Sequence, residues 1–121
     1  MSEFNTVNAE ITHTRLGIEG HGIFTFFITL KLENGNIGFG NFALDERKIN
    51  EEKRTGTEFG MNTIIRLLEV VGVGSWEELK GKYIRVNEIK LGEEVVWIGN
   101  LINDDWFNVK YPLSNFDKER K

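Results

Sequence analysis

The stretch "IFTFFITLKLENGNIGFGNFAL" (residues 23–44) constrains the fold more than any other part of the 121-residue chain. Phe24, Phe26, Ile28, Leu30 and Leu32 recur at every second position, with Thr25, Thr29 and Lys31 between them. That period puts one apolar face on an extended strand. Asn34-Gly35 then supplies the strongest short hairpin signal, because a type I′ turn needs positive φ twice. The segment after the turn is expected to return antiparallel beside the first.

Inside the returning arm, "GFGNFALD" (residues 38–45) also reads as G-x-G-x-x-A, the relaxed form of a dinucleotide-binding fingerprint. That fingerprint works between a strand and a long helix, with an acidic residue about 20 positions further on. Here the glycines lie within a hairpin arm. They are followed by "DERKINEEKRTGT" (residues 45–57), a charged run without an apolar stripe that reads as a solvated loop. The phosphate-loop reading is set aside on that context. Gly38 and Gly40 share one face of the strand. Missing side chains there mean a bulge or a close approach by another backbone, a ring or a ligand. Packing against an aromatic or a helix is the cheaper account.

The remaining elements follow from the same rules. "AEITHTRL" (residues 9–16) alternates loosely and reads as a strand, and "LGIEGHG" (residues 16–22) is a glycine-rich loop. "EFGMNTIIRLLEVVG" (residues 58–72) predicts the one long helix. Met61, Ile64, Ile65, Leu68 and Val71 form its apolar stripe, with Leu67 at the edge and Gly72 as the terminating residue. "GSWEELKG" (residues 74–81) predicts a short helix, with Ser75 as N-cap and Glu78 completing a capping box. Trp76 and Leu79 share its core face. Strands are expected in "KYIRVNEI" (residues 82–89), "VVWIGNLI" (residues 95–102) and "WFNVKY" (residues 106–111), joined by polar turns. Pro112 and the charged tail mark a frayed end. The chain reads as a single α+β domain, residues 1–121. Its sheet is mainly antiparallel, a sandwich or open barrel of hairpins, with one long and one short helix. Phe24, Phe26, Ile28, Leu30, Ile64, Ile65, Leu68 and Val71 are the expected core.

Composition removes several function classes. The chain has no cysteine, which excludes disulfides and thiolate metal sites and fits a cytoplasmic protein. No run approaches the roughly 20 apolar residues of a membrane span, and the N-terminus lacks a signal-peptide plan. A net charge of −4 argues against general nucleic-acid binding but leaves room for local capture of one small anion. Ser75 is accounted for as a cap, Ser2 and Ser114 lie near the termini, and no nucleophile, base and oxyanion set assembles from the rest. His13 reads as a surface or edge residue. His13 and His21 together leave any metal short of ligands, so neither a metal nor a cofactor is expected. Asp104-Asp105 read as solvated turn carboxylates.

Binding is the stronger class. Trp97, Trp106, Phe107, Tyr83, Phe39 and Phe42 could offer flat surfaces to a base, against the alternative that they are simply core. Arg15, Arg54, Lys82 and Arg85 could donate to phosphate, and Asn41, Asn100 and Asp105 could read polar edges of a base. His21 sits in the "EGHG" loop, where side chains are often positioned for binding.

The ordered segments "LGIEGHGIFTFFITL", "GFGNFALD", "VVGVGSWEELKGKYIRV" and "IGN…DDWF" resemble a family of small phage and prophage proteins over most of residues 9–107. Within it, they are similar to the anti-defence sponges that neutralise Thoeris immunity. The resemblance implies a non-catalytic, oligomeric binder that sequesters a cyclic ADP-ribose isomer or related cyclic nucleotide in the host cytoplasm. It implies ligand-binding roles for His21, Gly22, Arg85, Asn100, Asp105 and Trp106. Gly20 and Asn41 depart from the family pattern, where an acid and a glycine are common, so no role carries over to them. Two rivals stay open: an acidic inhibitor that blocks a host defence protein by direct contact, in the manner of an anti-CRISPR, and a phage accessory without a ligand.

Overall fold

The computed structural model describes residues 5–88, 95 and 97–108. In chain order the elements are β1 (Thr6–Ile18), β2 (Phe24–Leu32), β3 (Gly35–Gly40), β4 (Asp45–Glu46), β5 (Thr55–Gly56), α1 (Glu58–Val71), a 3₁₀ turn (Trp76–Glu78), β6 (Tyr83–Asn87), β7 (Trp97–Gly99) and β8 (Trp106–Asn108). Six strands form one antiparallel sheet in the order β3-β2-β1-β6-β7-β8, and β4 pairs with β5 in a separate short ribbon. The α+β class with one long helix is the observed one. The turn expected between residues 89 and 94, and everything beyond residue 108, lie outside the described residues.

The β2–β3 hairpin forms where the alternation places it. Phe26, Ile28 and Leu30 are buried in the core, and Phe24 and Leu32 pack half-buried at its margin. The turn itself is displaced by one residue. Leu32 pairs with Gly35, so Glu33-Asn34 make the loop, and of the expected Asn34-Gly35 pair only Gly35 takes positive φ (149°). Gly38 lies under the Phe27 ring: a Cβ there would sit 2.3 Å from Cζ. Gly40 (φ 107°) lies against the Phe26 carbonyl. The glycines of the fingerprint-like stretch therefore accommodate two neighbouring phenylalanines. Close packing, the cheaper of the two accounts, is what they do.

β1 explains its own loose alternation. Between Glu10–Lys31 and His13–Thr29, two residues of β1 face Leu30 alone. This bulge at residues 11–12 flips the faces. Before it Ala9 and Ile11 point into the core, and after it Leu16 does, while His13 and Arg15 are exposed. β1 also serves two partners. It pairs with β6 along its first half, from Thr6–Asn87 to Glu10–Tyr83, and with β2 along its second.

α1 covers one face of the sheet but is rotated from the expected stripe. Its buried seam is Gly60, Thr63, Leu67 and Val70. Ile64, Leu68 and Val71 flank it half-buried, whereas Met61 and Ile65 are 63% and 44% exposed. The cause is the first turn. A Cβ at Gly60 would lie 1.9 Å from the Leu44 carbonyl oxygen, so the helix rests directly on the Leu44 backbone. The Thr57 hydroxyl fastens this contact, donating to Leu44 O (2.8 Å) and accepting from Gly60 N (2.8 Å). Thr63 is fully buried because its hydroxyl is satisfied by Phe59 O at 2.8 Å. Gly72 ends the helix in the left-handed conformation, as its position suggests.

The expected short helix is a single 3₁₀ turn. Glu78 does not build the expected box. Its carboxylate instead accepts from Gly74 N (3.0 Å) and the Ser75 hydroxyl (3.1 Å). Trp76 packs half-buried, edge-on to Phe26, with Leu79 fully buried behind it.

Candidate functional site

The six residues singled out by the resemblance fall into two groups. Arg85, Asn100, Asp105 and Trp106 meet at the β7–β8 loop. His21 and Gly22 lie in the β1–β2 loop, whereas the first group lies on β6, β8 and the β7–β8 loop.

In the first group Arg85, Gly99 and Trp106 stand side by side across β6, β7 and β8. The indole lies flat over Gly99, where a Cβ would come within 2.5 Å of the ring. The Arg85 guanidinium covers it from the strand on the other side, 4.9 Å from the ring centroid. Arg85 donates from Nε to Asn100 O (2.7 Å) and from Nη2 to Asn103 O (2.8 Å). Asn100 Oδ1 accepts from the backbone of Ile102 and Asn103, and its Nδ2 donates to Val70 O (2.9 Å), a helix-terminal carbonyl of α1. Asp105 accepts from Arg66 Nη2 at 3.1 Å. Trp106 is 1% exposed and its Nε1 donates to Asp104. These contacts tie the β7–β8 loop to the sheet and to the end of α1. With its indole enclosed, Trp106 has no face on which a base could stack in this arrangement, and the Arg85 fork is turned onto backbone carbonyls.

The second group opens onto solvent. His21 and Gly22 are exposed at the tip of the β1–β2 loop, which closes through Gly22 N donating to Glu19 O at 2.7 Å. β3 runs antiparallel to β2, so the chain leaving it returns to this same end of the sheet. The charged run of residues 45–54 is thereby laid beside the glycine loop. Between them is a groove of about 600 Å³ lined by Ile18, His21, Gly22, Ile23, Asp45, Arg47, Glu52, Lys53 and Arg54. A second recess of about 170 Å³, lined by Glu19, His21, Ile23, Thr25 and Asn41, adjoins it through His21 and Ile23. Asn41 is one of two non-glycine residues with positive φ (66°) among those described, and its backbone N–H is held by Phe26 O.

The floor of the groove is rigid. The Asp45 carboxylate accepts from Arg54 Nε (2.9 Å), Arg54 Nη2 (3.0 Å) and Phe24 N (3.2 Å). The hydrogen-bonding Arg54 guanidinium outweighs the desolvation of Asp45, so its carboxyl is held below the ordinary carboxylate value. The same bond raises Arg54. Arg54 is thus committed to Asp45, while among the described residues the Arg47 and Lys53 side chains make no hydrogen bond or ion pair, and both line the groove.

Arg47 and Lys53 are functional candidates that the sequence reading passed over as part of a solvated loop. The signal that locates them is the hairpin: whatever precedes β2 and whatever follows β3 must meet at one end. A hollow of about 520 Å³ at the opposite end of β1 and β2 has only Glu33 and Glu88 as charged lining and suits no anion. Among the described residues no group of three or more His, Asp or Glu is placed to hold a metal, and no helix is long and apolar enough to cross a membrane. Comparison of the chain with models of known families, with curated proteins and with solved structures finds no match.

Proposed function

We propose that this protein is a non-catalytic binder of a small phosphate-bearing nucleotide, held in the groove between the glycine–histidine loop and the charged loop. The observation that carries the reading is the pairing of two uncommitted cations, Arg47 and Lys53, with His21 at the mouth of a recess that ends on Asn41. A phosphate suits the cationic part, where Gly22 leaves the backbone open to close approach. A planar polar group suits the narrower recess, beside the Asn41 amide and Ile23. Taken with the family resemblance, the ligand is a cyclic nucleotide or cyclic ADP-ribose-type immune signal. The protein is then a phage anti-defence sponge, acting as a homo-oligomer in the cytoplasm of the bacterial host.

Calorimetry with a panel of cyclic nucleotides and cyclic ADP-ribose isomers tests the proposal, followed by denaturation and recovery of the ligand. One member should bind and return chemically intact. Lys53→Ala and Arg47→Ala should each weaken it roughly ten- to a hundredfold, the loss of one charge-assisted contact of about 1.5–3 kcal/mol. No binding at micromolar protein overturns the reading, and an altered ligand makes the protein an enzyme. The second reading, an acidic inhibitor of a host defence protein, would place Ile49, 89% exposed in the charged loop, at the contact. Its sign is a stoichiometric protein complex lost on Ile49→Asp.

A further inference from the structure

β1 is covered on both sides for only part of its length. On the β6 side the pairing ends where Ile11 exchanges bonds with Lys82 O (2.8 Å) and Gly81 N (2.7 Å). Beyond that point, residues 12–18 have β2 on one side and, among the described residues, no strand on the other. Glu19 N bonds Ile23 O on the β2 side. Alternation then directs the backbone groups of Thr14, Leu16 and Ile18 to the open side. Arg15 Nη2 reaches Ile18 O at 3.0 Å, which is a side chain occupying an acceptor that no strand occupies.

Of the devices that usually protect an edge, the open stretch has the bulge at residues 11–12, where it begins, and the charge of Arg15, which Glu19 of the same chain holds. It contains no proline and no lysine, and its core-facing positions are Thr14, Leu16 and Ile18 rather than inward charges. Ile18 is 65% exposed. We infer that this edge pairs antiparallel with the same edge of a second copy, about a two-fold axis at Leu16. The free length sets the register. Leu16 faces Leu16 of the other copy, Thr14 faces Ile18, and the loops at residues 81–82 stop the pairing from sliding further. Three hydrogen-bonded pairs form, one Leu16–Leu16 and two Thr14–Ile18. On the outer face His13 comes opposite Glu19, which Arg15 of the same chain holds, and Arg15 comes opposite Gly17, over which that chain's own Arg15 guanidinium lies. The apolar row is thus self-complementary, as an isologous contact requires, and the outer row sets no like charges directly opposite one another. The seam deepens the homo-oligomer part of the proposed function and is independent of which ligand, if any, is bound.

The chain has no cysteine, so single cysteines report directly. A hydrogen-bonded antiparallel pair has Cα atoms about 5.5 Å apart, within disulfide range. Under mild oxidation Leu16→Cys should cross-link to a dimer in high yield, and Met61→Cys, exposed on α1, should not. Ile18→Lys, at a position already largely solvated, should weaken association at least tenfold in sedimentation while leaving the melting temperature near that of the parent. Cross-linking of Leu16→Cys no better than Met61→Cys overturns the inference, as does a native protein that sediments as a monomer at about 100 µM. A dimer cross-linked at Leu16 that binds no nucleotide upholds the seam and removes the ligand reading. A monomer that binds nucleotide does the reverse.

Discussion

Gly60→Ala adds one carbon atom at the point where α1 touches the rest of the protein. Elsewhere in a helix the change favours folding by about 1 kcal/mol, because alanine is the better helix former. Here the new Cβ lies 1.9 Å from Leu44 O, 2.7 Å from its carbonyl carbon and 2.9 Å from its Cα. Since real Cβ atoms essentially never come within 3.0 Å of another heavy atom, the helix and the Leu44 backbone must part by about 1 Å. Neither side is free to move. Leu44 N is held by Phe24 O at 2.8 Å, and Leu44 O is held by the Thr57 hydroxyl, which also caps the helix. Overpacking of this kind costs roughly 1–3 kcal/mol, and loss of the cap adds about 1 kcal/mol. Against the propensity gain, the net loss is about 1–3 kcal/mol, or roughly 4–15 °C in melting temperature for a chain of this size. Thermal melts by circular dichroism measure it. Gly56→Ala is the control, since nothing lies within 4 Å of its added Cβ, and it should melt at or slightly above the parent. A Gly60→Ala variant as stable as Gly56→Ala would refute the direct seating of α1 on Leu44.

The helix rotation has its own test. Leu67→Ala should cost about 2–5 kcal/mol in urea denaturation, whereas Met61→Ala should stay within about 0.5 kcal/mol of the parent; the reverse ranking would restore the stripe read from the sequence. The Asp45–Arg54 contact should appear in the acid limb of the stability curve. The folded pKa of Asp45 lies below its unfolded value of about 3.9, so its contribution is complete above the unfolded pKa and is lost as pH falls through the folded one. Asp45→Asn should flatten stability against pH in that acid window, and an unchanged slope would show that Asp45 is not held by Arg54.

The class of fold was legible because it rests on periodicity. The alternation of residues 24–32, the turn after it and the terminating Gly72 are each local and each correct to within a residue. The helix face was not legible, for a physical reason. A pattern search weights large apolar side chains, and the true seam begins with Gly60 and Thr63, which are buried because they are small and locally satisfied. The bulge in β1 was hidden likewise: one extra residue turns an odd-numbered apolar face into an even-numbered one and leaves only a weak period. Of the candidate site, His21 was legible from loop composition, and Gly22 only through the family resemblance. Arg85, Asn100, Asp105 and Trp106, which the resemblance joins to His21 and Gly22 as one ligand-binding set, meet at the β7–β8 loop apart from those two, and their polar groups bond one another and the backbone, which no spacing reveals. Arg47 and Lys53 become candidates only when the hairpin brings their loop beside His21.

The two partners of β1 differ in how far away they lie along the chain. Ile18 meets Phe24, 6 residues on, whereas Thr6 meets Asn87, 81 residues on. Closing the longer loop costs about 2 kcal/mol more chain entropy, taking the cost as (3/2)RT times the logarithm of the length ratio. As the chain emerges during synthesis, the β1–β2–β3 meander can therefore assemble long before β6 exists. The first half of β1 must wait, neither edge paired, until residues 83–87 have been made. The bulge at residues 11–12 sits at this boundary. It divides β1 into a part that folds early from local contacts and a part whose ordering reports that β6 has docked.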